Sequence, residues 1–173
     1  MRHVISVLLQ NEVGALTRMT GLFSSRGYNI DSLNVAPTED PTISRVTLVT
    51  SGSDAAIGRL NTQLAKLVDV VNIHDMTLGE HFERELAIVK LTLPTGGYTR
   101  VLALAKQYGA EILDDSQVSC TVQLTGRLAD IDAFIEAAAS IGKLSAVARS
   151  GSVAVSKGEV TLSSYVRDHR LTG

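Results

Sequence analysis

Apolar residues follow two rhythms along this chain, short extended runs and helix-spaced stripes, and the same order of rhythms occurs twice. Val4 to Leu9 is a nearly unbroken apolar run of strand length. Leu16, Met19, Leu22 and Phe23 then fall on one face of a helix, which Gly27 ends as a left-handed C-cap. Tyr28 to Ala36 reads as a strand broken at polar Asp31 and Ser32, where a bulge or an exposed edge is expected. Thr38 to Pro41 reads as a turn and Ile43 to Thr50 as a third strand. Ser53 or Asp54 caps a second helix that turns Ile57, Leu60, Leu64 and Leu67 inward, and Val68 to Met76 closes the unit as a fourth strand.

The polar residues 79–85 read as a linker, after which the rhythm restarts with a strand from Leu86 to Leu93. Gly96 and Gly97 lead into a helix with Tyr98, Val101, Leu102 and Ala105 on one side, and Gly109 ends it. Ala110 to Leu113 is a strand and Asp114 to Ser116 a turn. Val118, Cys120, Val122 and Leu124 alternate strictly with polar residues, the mark of a half-buried strand. Leu128, Ile131, Ile135 and Ala138 form the last helical stripe, and Leu144 to Ala148 the last strand. Each half therefore has the split βαβ order. The expected fold class is α+β: two consecutive ferredoxin-like βαββαβ domains, with antiparallel sheets and helices on one face. Residues 1–78 form the first domain, 79–85 the linker, 86–149 the second domain and 150–173 a C-terminal tail. The halves share element order but little residue identity, so the fold repeats and the sequence does not. A small sheet covered on one face leaves the other to be buried, and another copy or a partner subunit is expected to bury it.

Composition narrows the function. Of 173 residues 45% are hydrophobic but only 4% aromatic, with no tryptophan, so the cores must rest on Val, Ile, Leu and Ala. Residues 1–80 carry six basic and eight acidic groups, residues 81–148 six and eight, and residues 149–173 four and two. Neither domain is built for a polyanion. RNA-binding modules of this element order stack bases on sheet aromatics, and TISRVTLVT, the third strand, has none. A single cysteine, Cys120, excludes a disulfide framework within the chain and a four-cysteine zinc site, and its apolar surroundings mark it as core. The histidines His3, His74, His81 and His169 have no metal-ligand spacing. Asp114 and Asp115 read as solvated turn residues, and no phosphate loop is present. There is no signal peptide pattern and no apolar run of membrane-spanning length, so a soluble, cytoplasmic protein is expected, bound to neither nucleic acid nor membrane. No acid-base or nucleophile set supports catalysis.

One junction does carry chemistry. In QNEVGAL, Asn11 and Gly14 stand where the first strand ends and the first helix begins. The first amides of a helix lack intrahelical partners, and with the positive end of the helix dipole they favour a carboxylate or phosphate. Gly14 has no Cβ to block a ligand, and Asn11 can donate or accept a hydrogen bond. The same two residues would equally serve as N-cap and turn glycine with no ligand at all.

The stretch QNEVGALTRMTGLFSSRGYNIDSLNVAPTEDPTISRVTLVT, followed by LAKLVDVV, HFERELAIVKL and SAVARSGSVAVSKGE, closely resembles the regulatory, or small, subunits of acetohydroxyacid synthase, also called acetolactate synthase. NEVGAL alone indicates only the wider set of ACT domains, whereas RGYNIDSL and VAPTEDPTISR are specific to this family. The resemblance covers nearly the whole chain, and Val160 to Gly173 form an extension without a counterpart. It implies an ACT domain in residues 1–78 and a non-catalytic protein. Such a protein binds the catalytic subunit, raises its activity and confers feedback inhibition by a branched-chain amino acid. Valine is the implied effector, with leucine and isoleucine as the alternatives. Thiamine diphosphate, FAD and magnesium are implied only in the catalytic subunit, with none in this chain. The implied effector site lies between the ACT domains of a homodimer: Asn11, Gly14 and Ala15 from one copy, Asn29 and Ile30 from the other. Asn11 and Asn29 take polar roles, Gly14 and Ala15 supply amides, and Ile30 packs on the ligand. A stand-alone ACT-type amino-acid sensor, acting on another enzyme or on transcription, is the alternative. Because the implied site lies within residues 11–30, the tail from Ser150 onward is expected to be dispensable for it.

Overall fold

The computed structural model describes residues 1–116, 118–159 and 161–162. They fall into two units, Met1–Phe82 together with the described residues from Ser152 onward, and Glu83–Gly151. The unbroken apolar run at the start of the chain becomes β1 (Arg2–Gln10), buried on both faces from His3 to Leu9. Such a strand belongs in the middle of a sheet covered on both sides. The order of the first sheet is β2-β3-β1-β4, where β2 is Ser32–Pro37, β3 is Ile43–Ser51 and β4 is Val70–Asp75. All its pairings are antiparallel, with Ile5 opposite Leu48 and Val7 opposite Val46.

Helices α1 (Ala15–Ser25) and α2 (Asp54–Leu64) cover one face of this sheet, and Met19, Phe23, Ile57, Leu60 and Leu64 meet Ile5, Val7, Leu9, Val46 and Leu48 there. Ser53 caps α2 by accepting from the Ala56 amide. The edge strand β2 begins only at Ser32, four residues later than the apolar pattern places it. Tyr28 and Ile30 leave the ladder to pack on the core instead.

On the opposite face part of the expected tail is a strand. A ninth strand, β9 (Val153–Ser156), returns to the first unit, where buried Ala154 packs with Val4, Val49 and Met76. Arg45 donates to Ser6 Oγ and to the Leu162 carbonyl, and the Lys157 amide donates to the Glu80 carbonyl. The chain itself thus covers part of the sheet face opposite the helices. The remainder of the expected basic tail, Val160 and residues 163–173, lies outside the described residues.

In the second unit β5 (His81–Thr92), β6 (Glu111–Asp115), β7 (Ser119–Gly126) and β8 (Lys143–Arg149) follow the order β6-β7-β5-β8, antiparallel throughout. Most of the expected linker is therefore strand, since β5 starts at His81. In its EREL run Arg84 and Leu86 face outward, while Glu85 points inward and is neutralised by Arg149 at 2.8 Å. Asp114 and Asp115 likewise end β6 and do not form a turn. Helices α3 (Gly97–Tyr108) and α4 (Leu128–Ile141) cover the inner face. Phe134, missed by the helical stripe, is fully buried and meets Tyr108 edge to face at 5.6 Å. On α3 the inward leucine beside Val101 and Ala105 is Leu104, and Leu102 is exposed. Cys120 is fully buried in this core, and burial pushes its thiol pKa up. Two ferredoxin-like βαββαβ units are thus present, each with helices against one face of an antiparallel sheet.

Candidate effector site

Gly14 is the N-cap of α1 and adopts the left-handed backbone conformation, at φ 86°. The chain must turn sharply there from the end of β1 into the helix, which a glycine does without steric cost. Among the described residues no side chain caps this helix, and no acidic residue lies in its first turn. Asn11 is not the cap: its amide nitrogen donates to the Pro41 carbonyl at 3.0 Å, and its backbone N-H to Thr42 O at 2.7 Å. Asn11 thereby ties the end of β1 to the β2–β3 turn, with its side-chain oxygen left as an acceptor. Ala15 is buried, and its amide turns back on the Glu12 carbonyl at 3.2 Å, so it is already partly satisfied.

Asn29 and Ile30 lie beyond the other end of α1. Asn29 donates through its side-chain amide to Asp31 at 2.8 Å, while its carbonyl accepts from the Thr50 hydroxyl at 2.6 Å. Asp31 is held in turn by the Ser51 hydroxyl. Ile30 is half-buried against the helix-side core. Within one chain the two groups of expected site residues stand apart by the length of α1, about 16 Å for eleven residues. One chain therefore brings Asn11, Gly14 and Ala15 together, and separately Asn29 and Ile30, but does not join the two groups.

Two residues at this place carry no warning in the motif. Arg18 forms a bidentate pair with Asp69, Nε to Oδ2 at 2.6 Å and Nη2 to Oδ1 at 2.7 Å. Asp69 is buried just before β4, and its carbonyl accepts the Gln10 amide, so it anchors both the end of β1 and the guanidinium. A lone acid inside the apolar run LVDVV was the only sequence signal for it. The space that the missing Cβ of Gly14 leaves open is occupied by this arginine: a Cβ there would lie 2.7 Å from Arg18 Nη1.

Hydrogen bonding from Arg18 holds the Asp69 carboxyl below the usual carboxylate range, and the same contact raises the guanidinium. A carboxyl whose pKa is lower folded than unfolded adds stability that is fully present above the unfolded value, about 3.9, and is lost as pH falls through the folded value. Thermal midpoints measured between about pH 2 and pH 6 should therefore fall less steeply with acid in Asp69→Asn than in the wild type. Parallel curves would show that the pair adds no pH-dependent stability.

Elsewhere the candidate residues have structural partners. His3 is buried with Nδ1 3.3 Å from Asp75 and Nε2 3.3 Å from Asp54, linking β1, β4 and the start of α2. His81 Nδ1 stands 3.0 Å from the Gly79 carbonyl. In the second unit α3 also begins at a left-handed glycine, Gly96, beside a cavity of about 590 Å³. There the Tyr98 hydroxyl donates to Asp115, so this helix start already faces a carboxylate. Among the described residues no group of three His, Cys, Asp or Glu side chains could hold a metal ion, and no helix is long and apolar enough to cross a membrane.

Comparison with known proteins bears on both units. The profile of the AHAS small subunit-like ACT domain matches residues 5–72, and that of the small subunit of acetolactate synthase matches residues 84–158. The acetolactate synthase isozyme 3 small subunit of Escherichia coli (strain K12) is 44% identical over 159 residues, covering 92% of this chain and 98% of that protein. The acetolactate synthase small subunit of Haemophilus influenzae is 43% identical over 159 residues, with the same coverage. Among solved structures, the acetolactate synthase small subunit from Thermotoga maritima superposes with a TM-score of 0.83 at 28% identity, covering 92% of this chain and 99% of that one. With both units matched and nearly the full length of such relatives spanned, the chain belongs to the acetolactate synthase small-subunit family.

Proposed function

We propose that this chain is a non-catalytic regulatory subunit of acetohydroxyacid synthase. It joins a catalytic subunit, raises its activity and makes it sensitive to a branched-chain amino acid, valine before leucine or isoleucine. Thiamine diphosphate, FAD and magnesium belong in this reading to the catalytic subunit. The observation that carries the sensing role is the start of α1, an uncapped helix end with no acid in its first turn. Its free amides and dipole suit the effector's carboxylate.

The other half of the site comes from a second copy. Among the described residues β2 is the edge strand of its sheet, with Val35 exposed along it. Antiparallel pairing of β2 with β2 of a second copy is self-complementary, as a two-fold axis requires. It sets the start of one β2, just after Asn29 and Ile30, against the far end of the other. Beyond that far end lies Pro41, to which Asn11 is bonded. The pairing thereby brings together the two groups that a single chain holds apart. Asn11 and Asn29 both spend an amide N-H within their own chain, so their side-chain oxygens are left to accept from the effector's ammonium. Ile30 and the neighbouring apolar surface receive the branched side chain. At roughly 0.6 to 1 kcal/mol per non-hydrogen atom, a valine-sized ligand binds in about the micromolar to sub-millimolar range.

Inhibition then follows by linkage: an effector that prefers the less active assembly shifts the population toward it, and the catalytic subunit reciprocally changes effector affinity. Reconstitution with the acetohydroxyacid synthase catalytic subunit tests the proposal. Higher activity on adding the chain, and its saturable loss on adding L-valine, L-leucine or L-isoleucine, is the expected result. A chain that binds these amino acids but neither copurifies with nor alters the catalytic subunit would instead be a stand-alone sensor.

A further inference from the structure

Arg18 stands one helical turn after Gly14, and its amide donates to the Gly14 carbonyl at 2.9 Å. Helical side chains lean toward the N-terminus, which is why its guanidinium folds back over the helix start. The Nε and Nη2 edge is occupied by buried Asp69. Nη1 has no hydrogen-bond partner among the described residues, lies against Gly14 and belongs to a side chain that is 49% exposed. A cation at the positive end of a helix is an unfavourable placement by itself. Asp69 and exposed Glu12 are the acids facing it, and Asp69 holds only one edge of the planar fork.

We infer that Arg18 is a specificity-determining residue of the effector site, reading the effector's carboxylate with its Nη1 edge while Asp69 positions it. This rests on the effector reading above. Gly14 is then needed less for direct ligand clearance than to let the guanidinium lie across the helix start. The free amides of α1 and one edge of a guanidinium converge on the same spot, a donor set for a planar carboxylate. An amino acid is thereby distinguished from its amide or from an amine of the same shape.

The test compares L-valine with L-valinamide, which keeps the ammonium and isopropyl groups and lacks the carboxylate. Binding to the full chain is followed by calorimetry and by amide-resonance shifts, which also report weak binding. Arg18→Gln should weaken L-valine binding by about 10- to 100-fold and leave the L-valinamide response unchanged. Because Arg18→Gln strands a buried carboxylate, the double variant Arg18→Gln, Asp69→Asn is measured beside it and should show the same selective loss. Equal weakening of both ligands, or undiminished L-valine binding in a folded variant, overturns the assignment and leaves Arg18 a structural tie. No saturable L-valine response by the wild type, alone or with the catalytic subunit, overturns the effector reading and this inference with it.

Discussion

Gly14→Asp should abolish inhibition by L-valine in the reconstituted enzyme. The left-handed backbone at position 14, φ 86°, strains any residue with a Cβ, although Asp bears that conformation better than most. The new Cβ would approach Arg18 Nη1 to 2.7 Å, so the guanidinium must shift by rotating about its long, flexible stem. The aspartate carboxylate then sits beside that guanidinium and at the positive end of α1, where it is stabilised by both. An internal anion thus takes the place proposed for the effector's carboxylate. The added charge partly offsets the backbone strain, so the loss should appear in sensing before folding. Inhibition curves are measured with copurification in parallel. Full sensitivity in the variant would refute the site. Loss of complex formation together with inhibition would instead place the start of α1 at the contact with the catalytic subunit.

Removing residues 152–173 should destabilise the first unit by about 4 kcal/mol, although every residue of the proposed site would remain. Ala154 is buried among Val4, Val49 and Met76, and truncation uncovers that side of β1 and β3. Re-exposure of roughly 150 Å² of apolar surface at about 25 cal/mol per Å² gives this figure. It is a large share of the 5–15 kcal/mol that typically holds a domain together. The deletion also takes away the carbonyl of Leu162 from Arg45 and the Lys157–Glu80 contacts. A fall in thermal midpoint of about 10 °C or more is expected, with faster hydrogen exchange at the β1 and β3 amides. Ala154→Asp in the full chain should act in the same direction, because it buries an unpaired carboxylate in the same cluster. A truncated chain with unchanged exchange in β1 and β3 would show that β9 adds nothing to the first unit.

The site was legible in part. Asn11 and Gly14 announced themselves because a polar turn residue and a glycine interrupt an apolar run just before a helical stripe. Arg18 and Asp69 did not, because a single arginine on a polar helix face looks solvated until its partner, 51 positions away, is brought beside it. The domain pattern showed the same limit. His81 to Glu85 looked like a linker because its charges, Glu85 above all, seemed unsuited to a sheet. Glu85 is nonetheless buried, held by Arg149 from β8 across the sheet.

What the sequence determined by itself was the local pattern: period-2 and period-3.6 apolar stripes that place strands and helices in a repeated split βαβ order, and glycines placed where the backbone turns left-handed. These depend on residues a few positions apart, so a linear reading captures them. Only the tertiary structure decided which face of each strand is covered and by what. Val153 to Ser156 read as a short apolar segment, and nothing in their pattern says that they return across more than seventy positions to lie over Val4, Val49 and Met76. Nor does the sequence say that α1 holds the two groups of proposed site residues about 16 Å apart in one chain. Both follow from the register and handedness of the whole sheet, which long-range burial selects and local propensity cannot encode.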